Sequence, residues 1–89
     1  MAQTRLLIQN IKGLHARASA RLVEVVEAHD ATATVSKDGM SAGGDSIMGL
    51  LMLAATKGSH IDVETRGPEA EALKDAITAL VNDKFGEGD

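Results

Sequence analysis

The chain has no cysteine, no tryptophan and no tyrosine, and only one phenylalanine and one proline in 89 residues. Without cysteine, neither disulfides nor thiolate metal sites can reinforce the fold. A single aromatic ring, Phe85, leaves nothing on which nucleic-acid bases could stack. A net charge of −4 also lacks the basic excess of a nucleic-acid binder, so no such partner is expected. No apolar run is long enough to cross a bilayer, so no membrane insertion is expected. Met1 to Arg5 lacks the apolar stretch of a signal peptide. Together these absences point to a cytoplasmic protein. The length predicts one domain over residues 1–89, near the lower limit for a self-sufficient core. With so little aromatic area, that core must come from Leu, Ile, Val, Met and Ala.

What the chain does contain is regular punctuation. Arg5 to Gln9 reads as a strand burying Leu6 and Ile8. From Ala16 to about Ala28 the spacing turns helical, with Ser19, Leu22, Val23 and Val26 on one face. Thr32 to Ser36 alternates as a second strand, Asp38-Gly39 makes a hairpin turn, and Met40 to Ala42 returns. Ser46 caps a short helix running to about Ala55, and Ile61, Val63 and Thr65 alternate in a fourth strand. Gly67-Pro68-Glu69 opens a last helix, with proline in its first turn and a buried stripe of Leu73, Ile77, Leu80 and Val81. Residues Phe85 to Asp89 are expected to fray. The order predicts an α+β open-faced sandwich: a largely antiparallel sheet with helices on one face and water on the other.

The richest segment is Gly13 to Ala20. It sets His15 at the mouth of the first helix, with Arg17 two residues on. The first N–H groups of a helix have no intrahelical acceptor and attract anions, phosphate above all. Neutral imidazole is a good phosphoryl acceptor, and the resulting N–P bond is labile enough to pass the group on. The N–H groups of Ala16 and Arg17 and the Arg17 guanidinium would steady the phosphate by position and charge. A lone loop histidine is ordinarily a surface residue; the adjoining glycine, arginine and helix start argue for chemistry here. His29 and His60 sit apart from it, and the three histidines form no metal motif. Neither a metal nor any other cofactor is expected.

Gly13-Leu14-His15-Ala16-Arg17 resembles the active-site signature of the histidine-containing phosphocarrier (HPr) family of the bacterial phosphotransferase system. Ser46-Ile47-Met48-Gly49-Leu50 resembles its second signature, and the element order matches over nearly the whole chain. The resemblance implies a four-stranded antiparallel sheet with three helices on one face. It also implies phosphate on Nδ1 of His15, received from Enzyme I at the expense of phosphoenolpyruvate and passed to an Enzyme IIA-type protein. Such a chain is a covalent phosphoryl carrier in a relay rather than a stand-alone catalyst. In lineages with a dedicated serine kinase, the family reading makes Ser46 a regulatory phosphorylation site, although helix capping alone accounts for a serine there.

The sequence departs from the family pattern in three places. Ala18 stands where the common motif has proline, Asp45 where many members have lysine, and Glu24 and Glu27 where the sugar-uptake carriers are often basic. These acids are expected to surround the phosphorylated loop, which makes the regulatory, nitrogen-related branch an alternative role. Ile47 to Leu53 is richer in apolar residues than a short one-sided helix requires. Ile47 and Leu51, joined by Met48, are the candidates for an exposed partner surface. A monomer is expected. Two rivals are a non-phosphorylated adaptor that uses this surface and a small enzyme with His15 as base; the latter lacks a second catalytic group.

Overall fold

The computed structural model describes residues 1–87. Strand β1 covers Ala2–Leu7, helix α1 Ala16–Glu27, β2 Thr32–Lys37, β3 Met40–Gly43, α2 Ile47–Met52, β4 His60–Arg66 and α3 Ala70–Asn82. A 3-10 turn over Lys84–Gly86 follows. The strands form one sheet in the order β1-β4-β2-β3, and every neighbouring pair is antiparallel.

Period-two alternation decides which sheet face is dry. Leu6 lies opposite Ile61, and Val35 opposite Val63, so their side chains form one apolar surface. Leu22 and Val26 of α1, Leu50 of α2, and Leu73, Ile77 and Val81 of α3 pack onto it. Each fully buried aliphatic side chain contributes about 1.5–3 kcal/mol. The opposite face carries Arg5, Thr34, Ser36, Asp62 and Glu64 around an open hollow of ≈ 570 Å³. The expected open-faced sandwich is the observed architecture. Between β2 and β3, Asp38 and Gly39 have φ of 50° and 82°, the two left-handed residues of a tight hairpin.

Element boundaries differ from the sequence reading at four places. β1 runs over Ala2–Leu7 rather than Arg5 to Gln9, because Ala2 to Thr4 complete the ladder to Thr65, Glu64 and Val63, and its last pair is Leu7 with His60, the first residue of β4. Helix α2 stops at Met52 instead of running to Ala55. Ala54 turns left-handed at φ 51°, and this bend carries Ala55 into the interior. Pro68 stands in the turn before α3 rather than in its first turn. Glu69, at the N-cap, makes no capping bond; its Oε1 accepts the Asp30 N–H at 2.5 Å.

The tail is the fourth. Residues 85–87 do not fray: Phe85 is fully buried in the core, and the Glu87 side chain is hydrogen-bonded to Asn10 and His15. The sole aromatic side chain is too large an apolar surface to leave in water. Gly88 and Asp89 lie outside the described residues.

Candidate functional site

His15 stands on a loop that hydrogen bonds hold from several sides. Leu14 is buried and donates its N–H to the Ala55 carbonyl at 2.8 Å. The Asn10 Nδ2 group donates to the Gly13 carbonyl at 2.7 Å, and Ser19 Oγ to the Leu14 carbonyl at 3.3 Å. Gly13 takes φ 62°, and a β-carbon there would fall 2.2 Å from the Ala55 carbonyl oxygen. The glycine therefore permits close approach of two backbones. The loop is fastened to the residue that the early end of α2 brings inward.

At the end of this loop His15 becomes the N-cap of α1, with extended backbone (φ −79°, ψ −175°). Its carbonyl accepts the first helical bond, from Ser19 N–H at 2.8 Å. Its Nδ1 accepts the Arg17 N–H at 3.3 Å, the capping role more often played by a serine or aspartate oxygen. Its Nε2 meets Oε2 of Glu87, whose Oε1 accepts from Asn10 Nδ2 at 2.9 Å. The His15 side chain remains 26% exposed, enough for a reactant to reach it. Ala16 and Arg17 are exposed at the helix start. The Arg17 N–H meets the imidazole itself in this state.

Arg17 shares a hollow of ≈ 290 Å³ with Ile11, Lys12, Arg21, Gly86 and Glu87. Three cationic side chains, Lys12, Arg17 and Arg21, therefore gather beside Glu87, whose carboxylate meets His15, and the expected grouping of Glu24, Glu27 and Asp45 around the loop is not found. Glu27 is the last residue of the 12-residue α1, about 18 Å along the axis from the His15 end. Asp45 shares a different hollow with Glu27 and His29 at that far end. Glu24 is exposed two-thirds of the way along the helix.

The second motif also finds its place. Ser46 caps α2, its Oγ accepting the Gly49 N–H at 3.0 Å. Ile47 and Met48 are 40% and 71% exposed. Leu51 is only half-buried, and Met52, not singled out beforehand, is exposed more fully. Leu50 and Leu53 are core residues. Sequence reading also missed Asn10, Lys12, Arg21 and Glu87. A fully buried loop asparagine has no periodic signature, and Glu87 reaches His15 across 72 residues of chain.

The element order, sheet topology and histidine-capped helix can now be set beside known proteins. A family model described as PTS HPr component phosphorylation site matches residues 2–83. The chain belongs to the HPr family. Phosphocarrier protein HPr of Cupriavidus necator is 42% identical over the full length of both chains. Phosphocarrier protein NPr of Escherichia coli is 40% identical over 90% of each. The crystal structure of HPr-C-His from Thermoanaerobacter tengcongensis superimposes with a TM-score of 0.93, at 31% identity and over 98% of each chain. As an HPr-family protein, the chain is a phosphocarrier of the bacterial phosphotransferase system. Among the described residues, no helix is long and apolar enough to cross a membrane.

Proposed function

We propose that His15 is the phosphoryl acceptor, that Enzyme I is the donor and that an Enzyme IIA-type protein receives the group. One observation carries this reading: His15 caps a helix through Nδ1, with the Arg17 N–H directed at that nitrogen. The lone pair on Nδ1 attacks phosphorus, the N–P bond forms, and the donor's bond to phosphorus breaks with its electron pair returning to the donor. Arg17 N–H then turns from the ring nitrogen to a phosphate oxygen. The helix end and the Arg17 guanidinium stabilise the charge by position, without an acid or base having to move a proton. Partners dock over Ile47, Met48 and Met52, with Leu51 at the edge of the same patch. A kinase acting on Ser46 would add charge beside this patch. Phosphorus–proton correlation NMR of the phosphorylated chain tests the atom assignment. Coupling through Nδ1 supports it, and coupling through Nε2 rejects it.

A second reading places the chain in the nitrogen-related branch. The match to the Escherichia coli NPr, nearly as high as that to the Cupriavidus HPr, favours keeping it. Initial phosphorylation rates with sugar-branch and nitrogen-branch donors, measured side by side, separate the two.

A further inference from the structure

We propose that Glu87 is a positioning residue for phosphoryl transfer: its carboxylate holds the proton of His15 on Nε2 and leaves the Nδ1 lone pair free to attack. This inference rests on the reading that His15 is the acceptor.

The tail is shaped to deliver that carboxylate. After α3, Lys84, Phe85 and Gly86 take φ of 53°, 54° and 74°. Left-handed backbone at two consecutive non-glycine residues is unfavourable and persists only where the surroundings impose it. Here Phe85 imposes it, because its side chain is fully buried in the core. Gly86 continues the turn at φ 74°, a left-handed conformation that favours glycine over residues with a β-carbon. An anchor and a fixed turn therefore precede Glu87 directly.

The contacts at the end of the tail are equally defined. The Glu87 side chain is only 13% exposed. One oxygen meets His15 Nε2, and the other accepts from Asn10 Nδ2 at 2.9 Å. Asn10 is itself fully buried, and the same Nδ2 group donates to the Gly13 carbonyl. Carboxylate, amide and loop carbonyl thus form a continuous chain beneath the imidazole. On the other edge of the ring, Nδ1 accepts from Arg17 N–H. A nitrogen that accepts carries no proton, so the ring proton is on Nε2 and is donated to Glu87.

This arrangement has a chemical consequence. When Nδ1 bonds to phosphorus and the donor bond breaks, the ring still carries its Nε2 proton and takes on positive charge. Glu87 faces that charge on the edge away from the phosphate. It therefore stabilises the charged ring as it forms, and on transfer to the acceptor the electron pair returns to Nδ1 with the Nε2 proton still in place. A carboxylate hydrogen-bonded to one ring nitrogen fixes the tautomer and orientation of the other in this way wherever histidine acts as a ligand or base.

The test compares wild type, Glu87→Gln and Glu87→Ala by two measurements. Two-bond proton–nitrogen NMR on the unphosphorylated proteins reads the His15 tautomer, and stopped-flow kinetics reads phosphoryl transfer from Enzyme I. Wild type should show a single Nε2–H tautomer. Glu87→Ala should show a mixture and transfer about tenfold more slowly. Glu87→Gln keeps an acceptor oxygen but no charge, so it should retain the tautomer and fall between the two in rate. A wild-type tautomer and a wild-type rate in Glu87→Ala, at unchanged thermal stability, overturn the proposal. If wild type takes no phosphate on His15, the acceptor reading fails instead; the tautomer measurement needs no phosphate and still decides whether Glu87 holds the ring.

Discussion

Gly13 and Ala55 lie so close that a β-carbon at residue 13 would stand 2.2 Å from the Ala55 carbonyl oxygen. That oxygen accepts the Leu14 N–H at 2.8 Å, so the contact fixes the residue immediately before His15. Gly13→Ala must therefore break a hydrogen bond or force a left-handed alanine. The left-handed conformation and the overpacking together should cost about 2–5 kcal/mol. Urea denaturation reads the loss, and a midpoint equal to that of wild type would show that the loop has slack.

Ser46→Ala removes the cap on α2 and should lower stability by about 1 kcal/mol, a fall in melting temperature of about 4–8 °C for a domain of this size. Aspartate caps as well as serine does, so Ser46→Asp should melt with wild type while placing charge beside Ile47 and Met48. Slower association of Ser46→Asp with Enzyme I, at unchanged melting temperature, would separate a charge effect from a capping effect. Equal association rates would remove Ser46 from any control of docking.

Arg17→Ala should fold normally, because the side chain is exposed and the backbone N–H that caps onto His15 is retained. Loss of a charge-assisted contact to the phosphoryl group should slow transfer by about tenfold to a hundredfold. Lysine should restore little of this, since it lacks the planar fork. Rapid-quench measurement of the forward and reverse rates checks it, and unchanged rates would reduce Arg17 to a solvated helix residue.

Charge placement makes a further distinction. Lys12 and Arg21 wall the hollow beside Arg17, whereas Glu27 and Asp45 sit at the other end of α1. Lys12→Ala with Arg21→Ala should reduce the association rate with Enzyme I by about tenfold at low salt. The triple change of Glu24, Glu27 and Asp45 to lysine should alter it less, because Glu27 lies about 18 Å along α1 from the His15 end and Asp45 shares its hollow rather than the one that holds Arg17. Transfer rate against ionic strength for both variants decides this. A larger response from the triple variant would place the docking face along the whole of α1.

Much of this was legible in the sequence because it is periodic or local. The α1 stripe of Ser19, Leu22, Val23 and Val26 is buried as its spacing requires, and Asp38-Gly39 makes its hairpin. The placement of His15 at a helix start follows from neighbours within five residues. What could not be read depends on distant chain meeting. Helix α2 ends early because Ala54 turns left-handed and Ala55 is drawn in to meet Leu14. Phe85 and Glu87 look like a polar, glycine-spaced tail until a core is present to receive the ring and a histidine to receive the carboxylate. The acidic residues of α1 could be placed on its exposed face from periodicity. Their expected place around the phosphorylated loop did not hold, because the 12-residue helix carries Glu27 about 18 Å from His15, and the gathering of Lys12, Arg17 and Arg21 with Gly86 and Glu87 depends on distant chain meeting.

The central claim is that His15 carries the phosphoryl group, and intact-protein mass spectrometry after incubation with Enzyme I and phosphoenolpyruvate tests it most directly. Wild type should gain the mass of one phosphoryl group, retain it in alkali and lose it in acid, as N–P bonds to imidazole do, and His15→Ala should gain nothing. Phosphate on the His15→Ala variant, or an acid-stable adduct on wild type, would contradict the account.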